Sequence, residues 1–102
     1  MKASHLYKSH PMRGIIRIYN LQTDKTLLCK SENLTEDIQK IRFDLDLGNF
    51  SNKALQDEYE EQGLEIYTIE ALLIAEKKEN LDKLLQIGKE KLEELAVPFY
   101  QH

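Results

Sequence analysis

The 102-residue sequence has no tryptophan, one cysteine, two prolines and four glycines. A single cysteine, Cys29, excludes an intramolecular disulfide framework and a cysteine-cluster zinc site, and it fits a reducing compartment. The glycines are isolated, so there is no glycine-rich phosphate loop. The longest apolar run is residues 71–75, far short of the ~20 residues of a membrane helix. The first ten residues carry no apolar core for export, so the expected location is cytoplasmic, with no membrane partner. No internal repeat, low-complexity tract or interdomain linker is present.

Hydrophobic residues make up 41% and charged residues 31%. That balance belongs to a folded globular chain rather than a disordered one, and the length fits one domain. Net charge is −4, which speaks against a compact nucleic-acid binder. The charge is also uneven. Residues 1–20 hold Lys2, Lys8, Arg13 and Arg17 and no acid, whereas residues 54–70 hold Asp57, Glu58, Glu60, Glu61, Glu65 and Glu70 and no base.

Residues 1–12 show no period and read as an N-terminal arm, leaving 13–102 as the domain. Residues 13–20 are rich in isoleucine and predict a strand. A polar turn at 22–25 leads to a second short strand at 26–29, and the two form a hairpin. Asn33 with Glu36 three residues on predicts a helix N-terminus. Leu34, Ile38, Ile41 and Leu45 then give one helical stripe, which Phe43 and Leu47 can widen, and Gly48 ends it. Ser51 or Asn52 can cap a second helix, with Ala54, Leu55 and Tyr59 inward and Gly63 at its end. Residues 64–69 alternate and predict a third strand. After a Lys/Glu-rich stretch, Leu81, Leu84, Leu85, Gly88, Leu92 and Leu95 mark a last helix that Pro98 stops. The expected class is α+β, with a three-stranded antiparallel sheet flanked by helices in the order β-β-α-α-β-α.

Generic chemistry finds little purchase. His5, His10 and His102 sit near the termini with no acid or cysteine beside them, so no metal site is expected there. Cys29 reads as a small buried apolar residue rather than a nucleophile. Ser31 lacks a nucleophile elbow. Asp57, Glu58, Glu60 and Glu61 could hold a divalent cation, but adjacent carboxylates on a helix diverge, and a solvated face explains them better.

Several segments together resemble the GIY-YIG nuclease domain, in particular its small stand-alone bacterial members. They are Gly14-Ile15-Ile16, the hairpin spacing to Leu27-Leu28-Cys29, and the helix opening at Ser31 to Leu34. Arg42-Phe43, Leu45, Leu47-Gly48 and Asn52-Lys53-Ala54-Leu55-Gln56 continue the match. The resemblance spans roughly residues 13–70 and, more weakly, the last helix. It implies metal-assisted phosphodiester hydrolysis. In that chemistry a hairpin tyrosine activates or relays for water, a helix arginine stabilises the phosphorane-like charge, and a later glutamate holds Mg²⁺ or Mn²⁺. Residue by residue the set is missing. Ile16 and Leu27 stand at the two tyrosine positions, Asp37 at the arginine, Ile41 at the histidine or tyrosine one turn on, and Leu85 near the metal glutamate. A shifted register would bring Glu79, Asp82 or Glu90 to that last position.

Tyr19 and Arg42 are the candidate rescuers. Tyr19 falls on the opposite face of its strand from the usual tyrosine. Arg42 is one turn beyond Asp37, and it could instead pair with Asp46 or Asp37. Losing one electrostatic donor costs about 10²–10³ in rate, so losing the whole set leaves little. The leading expectation is a degenerate nuclease-like domain acting as a binding or interaction module with no cofactor. The alternatives are an active Mg²⁺- or Mn²⁺-dependent nuclease with a migrated site, and a homo-oligomer that uses the apolar former cleft. Nucleic-acid contacts would come from Arg13, Arg17, Lys30, Lys40, Arg42 and Lys53. The other partner classes are a protein or a second copy.

Overall fold

The computed structural model describes residues 11–101. Strand β1 (Gly14–Asn20) and strand β2 (Thr26–Ser31) form the hairpin. Helix α1 (Leu34–Leu47) and helix α2 (Lys53–Gln62) follow. A 3₁₀ turn (Leu64–Ile66) then leads into strand β3 (Tyr67–Ile74), and helix α3 (Leu81–Glu94) closes the chain. The sheet is antiparallel with order β2-β1-β3. The expected class and element order therefore hold.

β1 is the middle strand, and its isoleucines supply both faces of the sheet. Ile16 and Ile18 enter a core with Leu34, Ile41 and Leu45 of α1 and Leu55 and Tyr59 of α2. Ile15 points the other way, into a smaller core with Leu81 and Leu84 of α3. This is the alternation a strand imposes, here apolar on both sides because helices cover both. The hairpin turn is held by Asn20, whose side-chain oxygen accepts from the N–H groups of Gln22 and Thr23. Asp24 adopts φ of 65°, a conformation that short Asp and Asn side chains tolerate.

The α1 N-terminus forms as its residues dictate. Asn33 Oδ1 accepts from Glu36 N–H, and Asn33 Nδ2 donates to Glu36 Oε2. Gly48 closes the helix at φ of 78°, a left-handed conformation that suits glycine. Asn52, rather than Ser51, caps α2 by accepting from Leu55 N–H.

Five local expectations change. β3 begins at Tyr67 rather than residue 64, because the turn after Gly63 takes the 3₁₀ form, and it continues through the apolar run to Ile74. A bulge opposite Ile15 and Ile16 breaks its alternation there, which hid the strand's second half. Phe43 and Leu47 do not widen the α1 stripe; they are 62% and 57% exposed, because α1 rests on the sheet along one narrow line. Ala54 is exposed, and the buried position belongs to Gln56. Gln56 donates to Leu45 O and Glu60 Oε2 and accepts from Phe50 N–H, fixing the α1–α2 loop. Leu95 lies past the end of α3 and is exposed. Cys29 is half-buried rather than buried.

After α3, Ala96 turns at φ of 60° and the tail runs back beside β2. Phe99 bridges to Thr26 in parallel. His5, His10, His102, Lys2 and Lys8 lie outside the described residues. Of residues 1–12 only the last two are described, and there Met12 O accepts from Leu34 N–H.

Candidate functional site

A groove of about 920 Å³ runs between β2, α1 and the start of α2. Ile16, Leu27 and Ile41 form its floor, with Cys29 and Phe50 beside them. Asp37, Lys40 and Asp44 stand along the α1 wall, and Lys53 and Ala54 along the α2 wall. Four of the five positions that the sequence resemblance singles out, Ile16, Leu27, Asp37 and Ile41, thus converge on one groove. Leu85 does not. It packs with Ile15, Leu81 and Leu84 on the opposite face of the sheet.

Both carboxylates of the groove are already engaged. Asp37 Oδ2 accepts from Ser31 Oγ at 2.6 Å, and Asp44 Oδ2 pairs with Lys40 Nζ at 2.8 Å. These two carboxylates are seven residues apart on α1, about 10 Å along the axis, too far to share one ion. The nearby acids Asp57, Glu58, Glu60 and Glu61 diverge as well, and among the described residues no three His, Cys, Asp or Glu side chains gather as ligands. The residues present therefore do not fit the divalent ion that the resemblance implies. Burial, helped by the Asp37 carboxylate, pushes the Cys29 thiol up, which suppresses its thiolate.

The basic candidates scatter. Lys30, Lys40 and Lys53 line the groove. Each is held by an acid: Lys30 by Asp82 at 2.6 Å, Lys40 by Asp44 and Lys53 by Asp57 at 3.3 Å. Arg13 Nε pairs with Glu32 at 2.9 Å, and its Nη atoms reach the carbonyls of Lys77 and Glu79, tying down the β3–α3 loop. Arg17 binds Asp24 Oδ1 and Thr26 Oγ1 and lies 3.8 Å over the Tyr19 ring; its side chain is 13% exposed. Tyr19 therefore belongs to the α3 face, away from the groove. Arg42 is exposed and makes no ion pair among the described residues. Its two expected partners bond elsewhere, Asp37 to Ser31 and Asp46 to the Tyr59 hydroxyl.

One cluster has no counterpart in the sequence reading. Glu58 accepts from Tyr100, Tyr67, Asn20 and Lys25, joining α2 to all three chain segments around it. Burial alone would raise its pKa, but the hydrogen bonds from Tyr100, Lys25, Tyr67 and Asn20 hold the carboxyl down at about 2. Burial and the Glu58 contact push the Tyr67 hydroxyl up to about 12, and the Tyr100 hydroxyl also rises. The donors come from residues 20, 25, 67 and 100, so no local spacing announces them.

The three-stranded antiparallel sheet, its helices on both faces and the β-β-α-α-β-α order make this a GIY-YIG-like fold. Two solved structures carry the likeness. The catalytic domain of the homing endonuclease I-TevI superposes with a TM-score of 0.67 at 20% identity, over 86% of this chain and 95% of that one. A mutant of the catalytic domain of the intron endonuclease I-TevI gives 0.66 at 19% identity, over 88% and 92%. No family model matches the chain. No curated protein matches it either.

Proposed function

We propose that this chain is a nuclease-fold domain that has lost phosphodiester hydrolysis and serves as a cytoplasmic binding module. One observation carries the reading. The groove at the resemblance's catalytic positions has an apolar floor of Ile16, Leu27 and Ile41, and Asp37 stands where an arginine would meet phosphate. A phosphate entering there meets a carboxylate and no free cation on the floor, so the usual electrostatic stabilisation is reversed in sign. Tyr19 and Arg42 do not compensate, because Tyr19 lies on the other face and Arg42 is not among the groove's lining residues.

The same groove favours a protein over a nucleic acid as its occupant. Three lysines and two aspartates line it, Lys30, Lys40, Lys53, Asp37 and Asp44. Each lysine is paired with a carboxylate, Lys30 with Asp82, Lys40 with Asp44 and Lys53 with Asp57, which leaves little positive charge to collect a polyanion. The test is a cleavage assay with Mg²⁺ or Mn²⁺ on linear and branched DNA and RNA, beside a low-salt binding titration. The expected result is no cleavage and only weak, salt-sensitive nucleic-acid binding. Cleavage that Arg42→Ala abolishes would overturn the reading.

A further inference from the structure

Among the described residues, the outer edge of β2 is closed at one end and open at the other. Thr26 N–H donates to Pro98 O, and Thr26 O accepts from Tyr100 N–H, each at 2.9 Å. The tail thus forms one parallel rung on β2. Alternate residues of a strand direct their N–H and C=O groups to the same side. Leu28 and Lys30, two and four residues beyond Thr26, therefore present theirs to the side away from β1. The tail does not follow them. Gln101 turns aside, its carbonyl accepting from Asn52 Nδ2 at 2.9 Å. Among the described residues, no backbone hydrogen bond outside the sheet ladder reaches Leu28 or Lys30. Both residues line the groove.

We propose that the free edge of β2 at Leu28 and Lys30 takes an extended peptide segment of a partner protein as an added strand, its apolar side chains entering the groove. The inference rests on the binding-module reading and names the class of partner. Three observations combine. The edge offers backbone donors and acceptors in line with a rung that the tail already occupies, so a strand is the ligand this edge is seen to take. Side chains of an added strand on the α1 side would meet Cys29, Ile41, Phe50 and Ala54, an apolar surface. The lysines beside that surface are each paired with an acid, Lys30 with Asp82, Lys40 with Asp44 and Lys53 with Asp57, which fits an uncharged segment alternating apolar and polar residues. Lys30, the one charge on the edge itself, is drawn to Asp82 on α3 and leaves the groove side clear. Exposed edges are often guarded by such charges; here the guard is turned to the far face.

The probe is a blocked hexapeptide of alternating threonine and valine, titrated into the full chain while backbone amide NMR signals are followed. The amides of Leu28 and Lys30 should shift and saturate. The affinity should change less than about 2-fold from low to high salt, since no counterions are released. Lys30→Pro removes one edge donor at a position where proline is tolerated, because its N–H faces outward. Ala54→Arg crowds the groove from an exposed site. Each should weaken the peptide by about 10-fold or more while the remaining spectrum is kept. The proposal is overturned if the Leu28 and Lys30 amides stay still, or if neither variant changes the affinity. It is equally overturned if those amides shift with protein concentration alone, which would assign the edge to a second copy. Absent binding with absent cleavage removes this inference only, whereas cleavage removes the reading beneath it.

Discussion

Glu58 differs from its neighbours Asp57, Glu60 and Glu61 in one respect: its carboxylate points inward. Four donors from distant parts of the chain meet it, and its pKa falls from 4.5 to about 2. A carboxyl depressed on folding stabilises the native state above its unfolded pKa, and that contribution is lost as pH falls through the folded value. The window is therefore from about pH 4.5 down to about 2. Chemical denaturation across that range should show a loss on the order of 2–3 kcal/mol from this group. Glu58→Gln keeps the shape but not the charge. It should cost about 1–3 kcal/mol at neutral pH and flatten the acid limb of the stability curve. An unchanged acid limb would place the pH dependence elsewhere. Asp37 makes the opposite case. It lines a groove wall, bonded to Ser31, and its interest lies in the charge it brings to the groove.

At the scale of elements, the sequence announces helices better than strands. α1 has its cap, its stripe and its terminal glycine in local sequence, and the structure keeps all three. β3 is harder because its bulge shifts the alternation halfway along, so the apolar run that completes the strand reads as unassigned. The bulge lies beside Gly14, where a methyl group on Cα would collide with the Leu73 carbonyl oxygen. The obstacle is backbone, which cannot swing aside. Gly14→Ala should therefore destabilise by more than about 2 kcal/mol, read by thermal or urea unfolding. The glycine that opens the family-like Gly14-Ile15-Ile16 triplet is thus explained by packing between β1 and β3, with no appeal to chemistry.

Across the whole molecule, the C-terminal tail does more than end the chain. It supplies Tyr100 to Glu58, Pro98 and Phe99 to the β2 edge, and the Gln101 carbonyl to the cap residue of α2. Deleting residues 98–102 removes all of these together and leaves Glu58 short of a donor. The expected loss is more than about 3 kcal/mol, measured by chemical denaturation, with the Thr26 amide gaining rapid hydrogen exchange. The uneven charge also resolves at this scale. Arg13 and Arg17, half of the basic residues in 1–20, are spent on Glu32, Asp24 and backbone carbonyls. What the sequence displays as a basic end is, for those two residues, internal bracing of loops and strands.

The sequence by itself determined the elements, their order and the fold, because strand and helix periods and caps are local properties written in neighbouring residues. The residues at the positions the resemblance singles out, Ile16, Leu27, Asp37 and Ile41, can likewise be read without coordinates. Tertiary structure alone decided what those positions became. It gathered the four into one groove, put Leu85 on the far side of the sheet, paired each groove lysine with an acid, and left two residues of β2 with an edge that is open among the described residues. It also built the Glu58 cluster from residues up to 80 positions apart. Such contacts depend on how the chain folds back on itself, and that distance in sequence is the reason no local pattern foretells them.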